Sequence, residues 1–158
     1  MCDNRVMSST PNWLNEQEHD VWRRWLTTHT TINAVLGRHL SKDSCLSLTE
    51  YEVLVVLSEH PEGRLRMAAM AEKMQWDKSR LSHQITRMVK RGLVDRVSCQ
   101  EDKRSAFVEL RDEGLEAIRE AAPPHVDHVR ELLFDHLNQE QLDQLQSILQ
   151  TLDAKLHA

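Results

Sequence analysis

The sequence predicts a mainly α-helical protein with one small β element, and three observations support this fold class. Only four glycines and four prolines interrupt the 158 residues. Apolar residues recur three and four positions apart over most of the chain, which is the period of an amphipathic helix. Residues 93–99 and 105–110 instead alternate apolar and polar side chains, which indicates two short strands.

The N-terminal region predicts a tail followed by one long helix. Residues 1–12 are polar and contain no apolar core of a signal peptide, so we expect a mobile tail. Residues 13–45 form the next unit, with a helix predicted over 13–41 because a single apolar stripe follows it. The stripe contains Trp22, Trp25, Leu26, His29, Ile32, Leu36 and Leu40. Since no apolar run approaches the ~20 residues of a membrane span, we expect a cytoplasmic protein without membrane contact.

Two shorter helices are predicted next. The first begins near Leu48, where Thr49 and Glu52 have the spacing of a reciprocal capping box. It ends at Pro61 and Gly63, which do not continue a helix. The second covers residues 65–75 and has its apolar positions on one side. These positions are Leu65, Met67, Ala68, Met70, Ala71 and Met74.

A fourth helix has clear start and stop signals. Asp77 is a favourable N-cap residue, and Gly92 suits the left-handed position that ends many helices. Its basic and polar side chains occupy the faces that the core does not use. The side chains predicted to be buried are Leu81, Ile85, Met88 and Val89.

A β-hairpin follows, made of "LVDRVSC" and "SAFVEL" around the charged turn "QEDKR". The order helix, helix, short helix, basic helix, hairpin is that of a winged helix-turn-helix domain. We assign it residues 46–112, with a wing of two to three strands.

Residues 113–158 predict C-terminal helices. Asp112 is expected to cap the first of them, and Pro123 and Pro124 to kink or interrupt it, because each lacks a backbone donor. The last helix starts near Gln139 and repeats leucine at alternating spacings of three and four, which is typical of helix-on-helix packing. One small domain cannot cover the apolar stripes of both terminal regions. We therefore predict N- and C-terminal dimerisation helices and a homodimer.

Positive charge is concentrated in the predicted winged domain. Residues 64–111 contain twelve Lys or Arg and six Asp or Glu, a net +6, although the whole chain is −5. Such an uneven distribution of charge suits the basic region to bind a polyanion. Double-stranded DNA is the partner that a basic helix followed by a basic hairpin tip predicts.

The side chains near the start of a recognition helix contact the bases of the major groove. The candidates in this chain are Lys78, Ser79, Arg80, His83, Gln84 and Arg87. Arginine suits guanine and glutamine suits adenine, whereas Lys78, Ser79 and His83 suit phosphates. At the hairpin tip, Lys103 and Arg104 are expected to contact the minor groove or the backbone. Asp102 is expected to pair with a nearby arginine and fix the tip.

Residues 77–114 resemble the MarR family of bacterial transcription regulators, and the resemblance covers nearly the whole chain because both flanking helical regions also fit. The matching features are Arg91-Gly92-Leu93-Val94 after the basic helix, Arg96 in the first strand, Asp102-Lys103-Arg104-Ser105 at the tip, and Leu110 four residues before Gly114. There are two departures from the family pattern: Arg111 replaces a small capping residue, and Gln100-Glu101 replace a basic residue before the tip.

This resemblance implies a homodimer that binds a palindromic operator, usually as a repressor, and needs no cofactor. It implies Arg96 and Asp102 as residues that structure the wing. Many similar proteins release DNA when a small aromatic or phenolic acid binds between the dimerisation helices and the DNA-binding lobe. Candidates for such an effector pocket are Trp22, Trp25, His29, Arg38 and Tyr51.

Two rival modes of regulation remain open. His125 and His128, with His136 further along, could chelate a metal, although transition-metal sites need three or four converging ligands. We assign no metal site on this pattern. Cys99, in the wing, could sense oxidants, although the three cysteines form no CxxC motif. No paired carboxylates, phosphate loop or nucleophile triad indicates an enzyme.

Overall fold

The computed structural model describes residues 11–98 and 106–157 and confirms the predicted mainly α-helical winged fold. Its elements are α1 Glu16–Ser44, α2 Leu48–Ser58, β1 Arg64–Arg66, α3 Met67–Lys73, α4 Lys78–Lys90, β2 Val94–Ser98, β3 Ala106–Leu110, α5 Asp112–Leu132 and α6 Gln139–Leu156, with a 3-10 turn at Phe134–His136. Within the described ranges, none of the helices combines the length and the apolarity that crossing a bilayer requires.

Reciprocal caps fix the starts of α1 and α2. Asn15 accepts from the Glu18 backbone N–H at 2.9 Å and donates its own N–H to the Glu18 carboxylate at 2.8 Å. Ser47 and Glu50 form the same arrangement at the start of α2. The predicted Thr49–Glu52 box is therefore wrong, because α2 begins at Leu48 and Thr49 already lies inside its first turn.

The core lies between α2, α3, α4 and the sheet. Its fully buried side chains include Leu54, Leu57, Met70, Leu81, Ile85, Met88, Val94 and Val108. Three of the four side chains that we expected α4 to bury are among them. Val89 is not, because it is 37% exposed.

The wing is a three-stranded antiparallel sheet in the order β1-β3-β2. Leu65 and Arg96 both pair with Val108, on opposite sides of the central strand. Leu65 was expected in the short third helix, but it belongs to β1. A strand of three residues is too short for its apolar period to be recognised.

A glycine allows α5 to approach the wing. A Cβ atom at Gly114 would lie 2.1 Å from the backbone oxygen of Leu93. The same oxygen accepts from the Arg111 N–H at 3.2 Å. Arg111 occupies the N-cap position without a side-chain cap bond, so Asp112 is the first residue of the helix and not its cap.

α5 continues through both prolines, so the expected interruption does not occur. Ile118 and Ala121, just before the prolines, are 5% and 1% exposed, and α5 packs against both α1 and α2. Tertiary packing of this kind supplies most of the stability of helices in proteins. It offsets the lost backbone donors here.

The two ends of the chain keep large apolar side chains at the surface. Trp13 is 81% exposed, Trp22 51%, Trp25 48%, Leu152 51% and Leu156 80%. We call these five residues the apolar terminal face.

Candidate nucleic-acid interface

The start of α4 is held by its N-cap. The Asp77 carboxylate accepts from the Arg80 backbone N–H at 2.8 Å, which satisfies one of the free donors at a helix start. Five of the six predicted recognition side chains are then exposed. They are Lys78, Ser79, Arg80, His83 and Arg87.

Gln84 does not share this exposed position. Its side chain is only 3% exposed, and its Oε1 accepts from Nη2 of Arg87. Position 84 follows Leu81 by three residues and precedes Met88 by four, so the helical period places it on the buried stripe. This placement conflicts with the expectation that Gln84 contacts adenine. The contact with adenine stays a prediction, and the hydrogen bond makes Gln84 the partner of the Arg87 side chain.

Arg80 packs against side chains that precede α4. Its guanidinium carbon lies 4.1 Å from the centre of the Trp76 ring. Burial raises the pKa of Glu52, and the charge of Arg80 lowers it by less. Arg80 therefore connects the exposed start of α4 to the Trp76 and Glu52 side chains behind it.

Three cations surround a cleft between α3, the start of α4 and the wing, which we call the basic cleft. It has a volume of about 380 Å³ and is lined by Arg66, Lys78 and Arg96, together with Ser82. Nη1 of Arg96 donates to the Ser82 hydroxyl at 3.5 Å. Positive side chains converging on a space of this size suit a phosphate group.

Arg66 is a residue of this cleft that sequence reasoning missed. Its guanidinium lies over the Phe107 ring, 5.0 Å from the ring centre. The net positive charge of residues 64–111 was the available signal, but it singles out no residue. The predicted wing residues Asp102, Lys103 and Arg104, and Cys99, lie outside the described residues.

Arg91 joins the end of α4 to the start of α2. Its Nη1 donates to the Glu50 carboxylate at 2.6 Å, and its Nη2 donates to the Cys45 backbone oxygen at 2.9 Å. Burial raises the pKa of Glu50, but hydrogen bonds from Ser47 and Arg91 outweigh it, so the pKa is lowered. This contact ties the end of α4 to the start of α2.

The five candidate effector residues are not brought together within one chain. Trp25 stacks on His29, with ring centres 6.4 Å apart, and lines a groove with Leu152 and Leu156 of α6. Arg38 is exposed. Tyr51 lies elsewhere, with its ring centre 4.3 Å from that of His125 on α5.

A second groove lies beside Tyr51, between α2, α3 and α5. It has a volume of about 500 Å³, and its lining includes Tyr51, Glu52, Lys73, Trp76 and His125. Burial, with a smaller contribution from Glu59, raises the pKa of Tyr51. The phenol is therefore a neutral donor at neutral pH. We call this space the Tyr51 groove.

The histidines that lie together in the fold are not the three that the sequence suggested. His128 lies beside His39 and Asp43 of α1, whereas His136 lies on the 3-10 turn and is not a member of that group. The chelating set considered from the sequence is thus not the one that the fold assembles.

Comparison with known proteins gives a consistent result. A family model described as the MarR family matches residues 46–106. A MarR family transcriptional regulator from Streptomyces coelicolor, whose crystal structure was determined in complex with DNA, is 40% identical in sequence to this chain. Its structure matches with a TM-score of 0.87, and the match covers 94% of this chain and 92% of that one.

Two relatives from Bacillus subtilis are also similar. An organic hydroperoxide resistance transcriptional regulator is 32% identical over 113 residues, 71% of this chain and 73% of that protein. An uncharacterized HTH-type transcriptional regulator is 28% identical over 109 residues, 68% of this chain. The chain spans 66% of the length of this second relative, slightly less than two thirds.

Proposed function

Because the chain belongs to the MarR family of DNA-binding transcriptional regulators, which are not enzymes, we propose that it represses transcription as a homodimer bound to a palindromic operator. The observation that carries this proposal is the exposed cationic surface formed by the start of α4 and the adjoining basic cleft. Repression is the usual activity that the family resemblance implies.

The surface divides into two kinds of contact. Arg80 and Arg87 extend from the solvent face of α4, where a bidentate contact to guanine in the major groove is available to arginine. Lys78, Arg66 and Arg96 line the basic cleft and are assigned to phosphates, which set position and carry no sequence information. Gln84 acts indirectly through Arg87.

The homodimer accounts for the apolar terminal face. Large exposed apolar patches mark interaction sites, and a symmetric pair uses the same face of both subunits. Two recognition helices related by a two-fold axis enter successive major grooves about 34 Å apart. The operator is therefore an inverted repeat with half-sites one helical turn apart.

The decisive experiment selects bound fragments from genomic DNA and then measures affinity for the enriched sequence and for a scrambled duplex. We expect an inverted repeat, and we expect Arg80→Ala to cost about 1–3 kcal/mol on the specific duplex and far less on the scrambled one. His60→Ala, at a position away from α4, is the matched control. Equal losses on both duplexes would contradict base contact by Arg80.

Assembly is tested separately by measuring molar mass in solution. The unaltered chain is expected at twice the mass of one chain. Leu152→Lys places a charge on the apolar terminal face and is expected to shift the population towards single chains. Gln146→Lys adds the same charge at a polar position of α6. A single-chain mass for the unaltered protein would contradict the homodimer.

An aromatic or phenolic acid is the proposed effector, and the Tyr51 groove is the part of the single chain that suits it best. Tyr51 and Trp76 offer aromatic surfaces, and Lys73 offers a cation for the carboxylate. The candidates on α1 lie outside this groove. The effector must favour a spacing of the two DNA-binding lobes that the operator does not fit.

A panel of hydroxybenzoic acids tests this assignment by release of labelled operator. The concentration for half release is expected to rise about tenfold or more in Lys73→Ala, because a charge-assisted hydrogen bond contributes about 1.5–3 kcal/mol. Lys155→Ala, in the last turn of α6, is the control. Unchanged release in Lys73→Ala would exclude Lys73 as the carboxylate partner.

A further inference from the structure

Four side chains with metal-binding chemistry meet where α1 packs on α5. α1 supplies His39 and Asp43, four residues apart, and α5 supplies His125 and His128, three residues apart. Both spacings place the two side chains on one face of a helix. One ligand atom from each of His39, Asp43 and His128 lies within 4.8 Å of the others.

We propose that His39, Asp43 and His128 bind a divalent transition-metal ion of the zinc type. Two imidazoles and one carboxylate form the nitrogen and oxygen set that zinc accepts. Calcium and magnesium prefer oxygen ligands throughout. The three side chains come from two helices, so the ion would fasten α1 to α5.

The distances fit this coordination. Nε2 of His128 lies 3.1 Å from Oδ2 of Asp43. Two ligand atoms at about 2.0–2.1 Å from a tetrahedral zinc lie roughly 3.3 Å from each other. The His39 ring is stacked on the His128 ring, with centres 3.7 Å apart and planes at 27°. The ligand atom of His39 lies within 4.8 Å of the other two, so tetrahedral coordination requires the His39 side chain to move closer to them.

The second ring nitrogen of His128 has a partner suited to metal ligation. Histidines that bind a metal usually donate their other N–H to a carboxylate, which fixes the ring. Nδ1 of His128 lies 3.5 Å from Oε2 of Glu131. The present alignment is not that of a hydrogen bond, since this buried atom has no hydrogen-bond partner within residues 11–98 and 106–157. Forming this hydrogen bond requires His128 or Glu131 to rotate.

His125 is the candidate for a fourth ligand. It lines the same narrow gap between α1 and α5 as the other three side chains, and its Nδ1 is also buried without a hydrogen-bond partner among the described residues. Buried polar atoms in proteins nearly always have a partner. Because His128 Nδ1 is assigned to Glu131, it is the unpartnered Nδ1 of His125 that points to a bound group in this gap.

Binding is measured on the full chain without an affinity tag, in the absence of DNA. Cobalt(II) serves as a spectroscopic probe, because its visible absorption reports tetrahedral nitrogen and oxygen coordination, and zinc(II) is then titrated in competition. We expect one ion per chain, displacement of cobalt by zinc, and a higher unfolding temperature with zinc present. Failure of the folded protein to bind either ion in a stoichiometric amount would overturn the proposal.

Variants locate the site. Asp43→Asn and His128→Asn are expected to weaken zinc binding by at least about 100-fold, since losing even an outer partner costs 10–100-fold. Asp43 is partly exposed, so its variant keeps the fold if the His128 variant does not. His136→Asn is the matched control and is expected to bind like the unaltered chain. Unchanged affinity in Asp43→Asn, or an equal loss in His136→Asn, would place any metal elsewhere.

Regulation by the metal is a separate measurement that rests on the proposed function. Zinc that binds α1 and α5 is expected to change operator affinity in the unaltered chain and not in Asp43→Asn. If the protein binds zinc but no operator, the proposed function fails and the metal site stands. If it binds an operator but no zinc, the metal site alone fails.

Discussion

Replacing Arg91 with methionine tests the contact that joins the end of α4 to the start of α2. Arg91 donates to Glu50 at 2.6 Å and to the Cys45 backbone oxygen at 2.9 Å. Methionine keeps a long aliphatic side chain and removes both hydrogen bonds. The carboxylate of Glu50, whose side chain is 8% exposed, then loses its cation.

The expected loss lies between two limits. Removing one partner of a fully buried ion pair costs about 3–5 kcal/mol, whereas an exposed pair contributes about 0–1 kcal/mol. The Arg91 side chain is 42% exposed, so water screens its charge. Ser47 also keeps its backbone N–H and its hydroxyl on the Glu50 carboxylate. We therefore expect the free energy of unfolding to fall by about 2 kcal/mol.

The loss in the free energy of unfolding caused by Arg91→Met depends on pH in a defined direction. The pKa of Glu50 is lowered in the folded protein. Its contribution to stability is therefore complete above the unfolded pKa of about 4.3 and is lost as the pH falls through the lower folded value. The difference between the unaltered chain and Arg91→Met is expected to be largest near neutral pH and to shrink below about pH 4.

Urea unfolding followed by circular dichroism measures the effect, at one fixed protein concentration because the proposed assembly is a dimer. Glu50→Gln and the double variant complete a cycle, with an expected coupling of at least about 1 kcal/mol. Arg111→Met is the matched control: Arg111 is 41% exposed and its partners Asp95 and Glu113 are exposed too. Coupling below about 0.5 kcal/mol, or equal losses at the two arginines, would refute the reasoning.

Three further outcomes are expected. Gly114→Ala places a Cβ 2.1 Å from the Leu93 oxygen and is expected to lower the free energy of unfolding, measured with urea, by about 1–3 kcal/mol. An unchanged urea midpoint would contradict the need for α5 to approach the Leu93 backbone this closely. If Gln84 acts only by orienting Arg87, the double variant Gln84→Ala/Arg87→Ala binds operator no more weakly than Arg87→Ala alone. A loss of operator affinity in the double variant equal to the sum of the two single losses would mean that Gln84 contacts DNA. Lys78→Ala is expected to reduce the slope of log affinity against log salt by about 0.9, and an unchanged slope would remove Lys78 from the phosphate contacts.

The features of α4 that the sequence predicted correctly depend on local signals. Asp77 is the N-cap, and Gly92 has the positive φ of 74° that suits a glycine after a helix. Both follow from the chemistry of residues within a few positions. The helix starts at 16 and 48 were harder to place, because Asn15 and Ser47 compete with other capping residues nearby. Only the fold decides which of these residues is used.

Gln84 shows how residue type and helical period can point in different directions. Its spacing from Leu81 and Met88 assigns it to the buried face, whereas its amide suggests a contact to DNA, which stays a prediction. Burial is tolerated because Arg87 supplies a donor to the amide oxygen. Periodicity was the better guide than residue type at this position.

The cluster at the junction of α1 and α5 lies beyond sequence reasoning. Asp43 and His128 are separated by 85 positions, and no motif relates them. The sequence suggested His125 and His128 because they are neighbours in the chain. The partners of His128 depend on how α5 packs against α1, including its uninterrupted passage through Pro123 and Pro124.

The structure also bounds how the proposed effector could release DNA. Trp76 and Glu52 line the Tyr51 groove, and the ring of Trp76 makes a cation–π contact with the guanidinium of Arg80. A ligand that turns Trp76 removes a cation–π contact worth about 0.5–1 kcal/mol at an exposed site. That amount changes operator affinity by about two- to five-fold through Arg80. Since allosteric coupling reaches about 1–3 kcal/mol, or 5–150-fold, we propose that any larger release comes from a change in the spacing of the two lobes of the proposed dimer. The groove is suited to cause such a change because α2, α3 and α5 all form its walls.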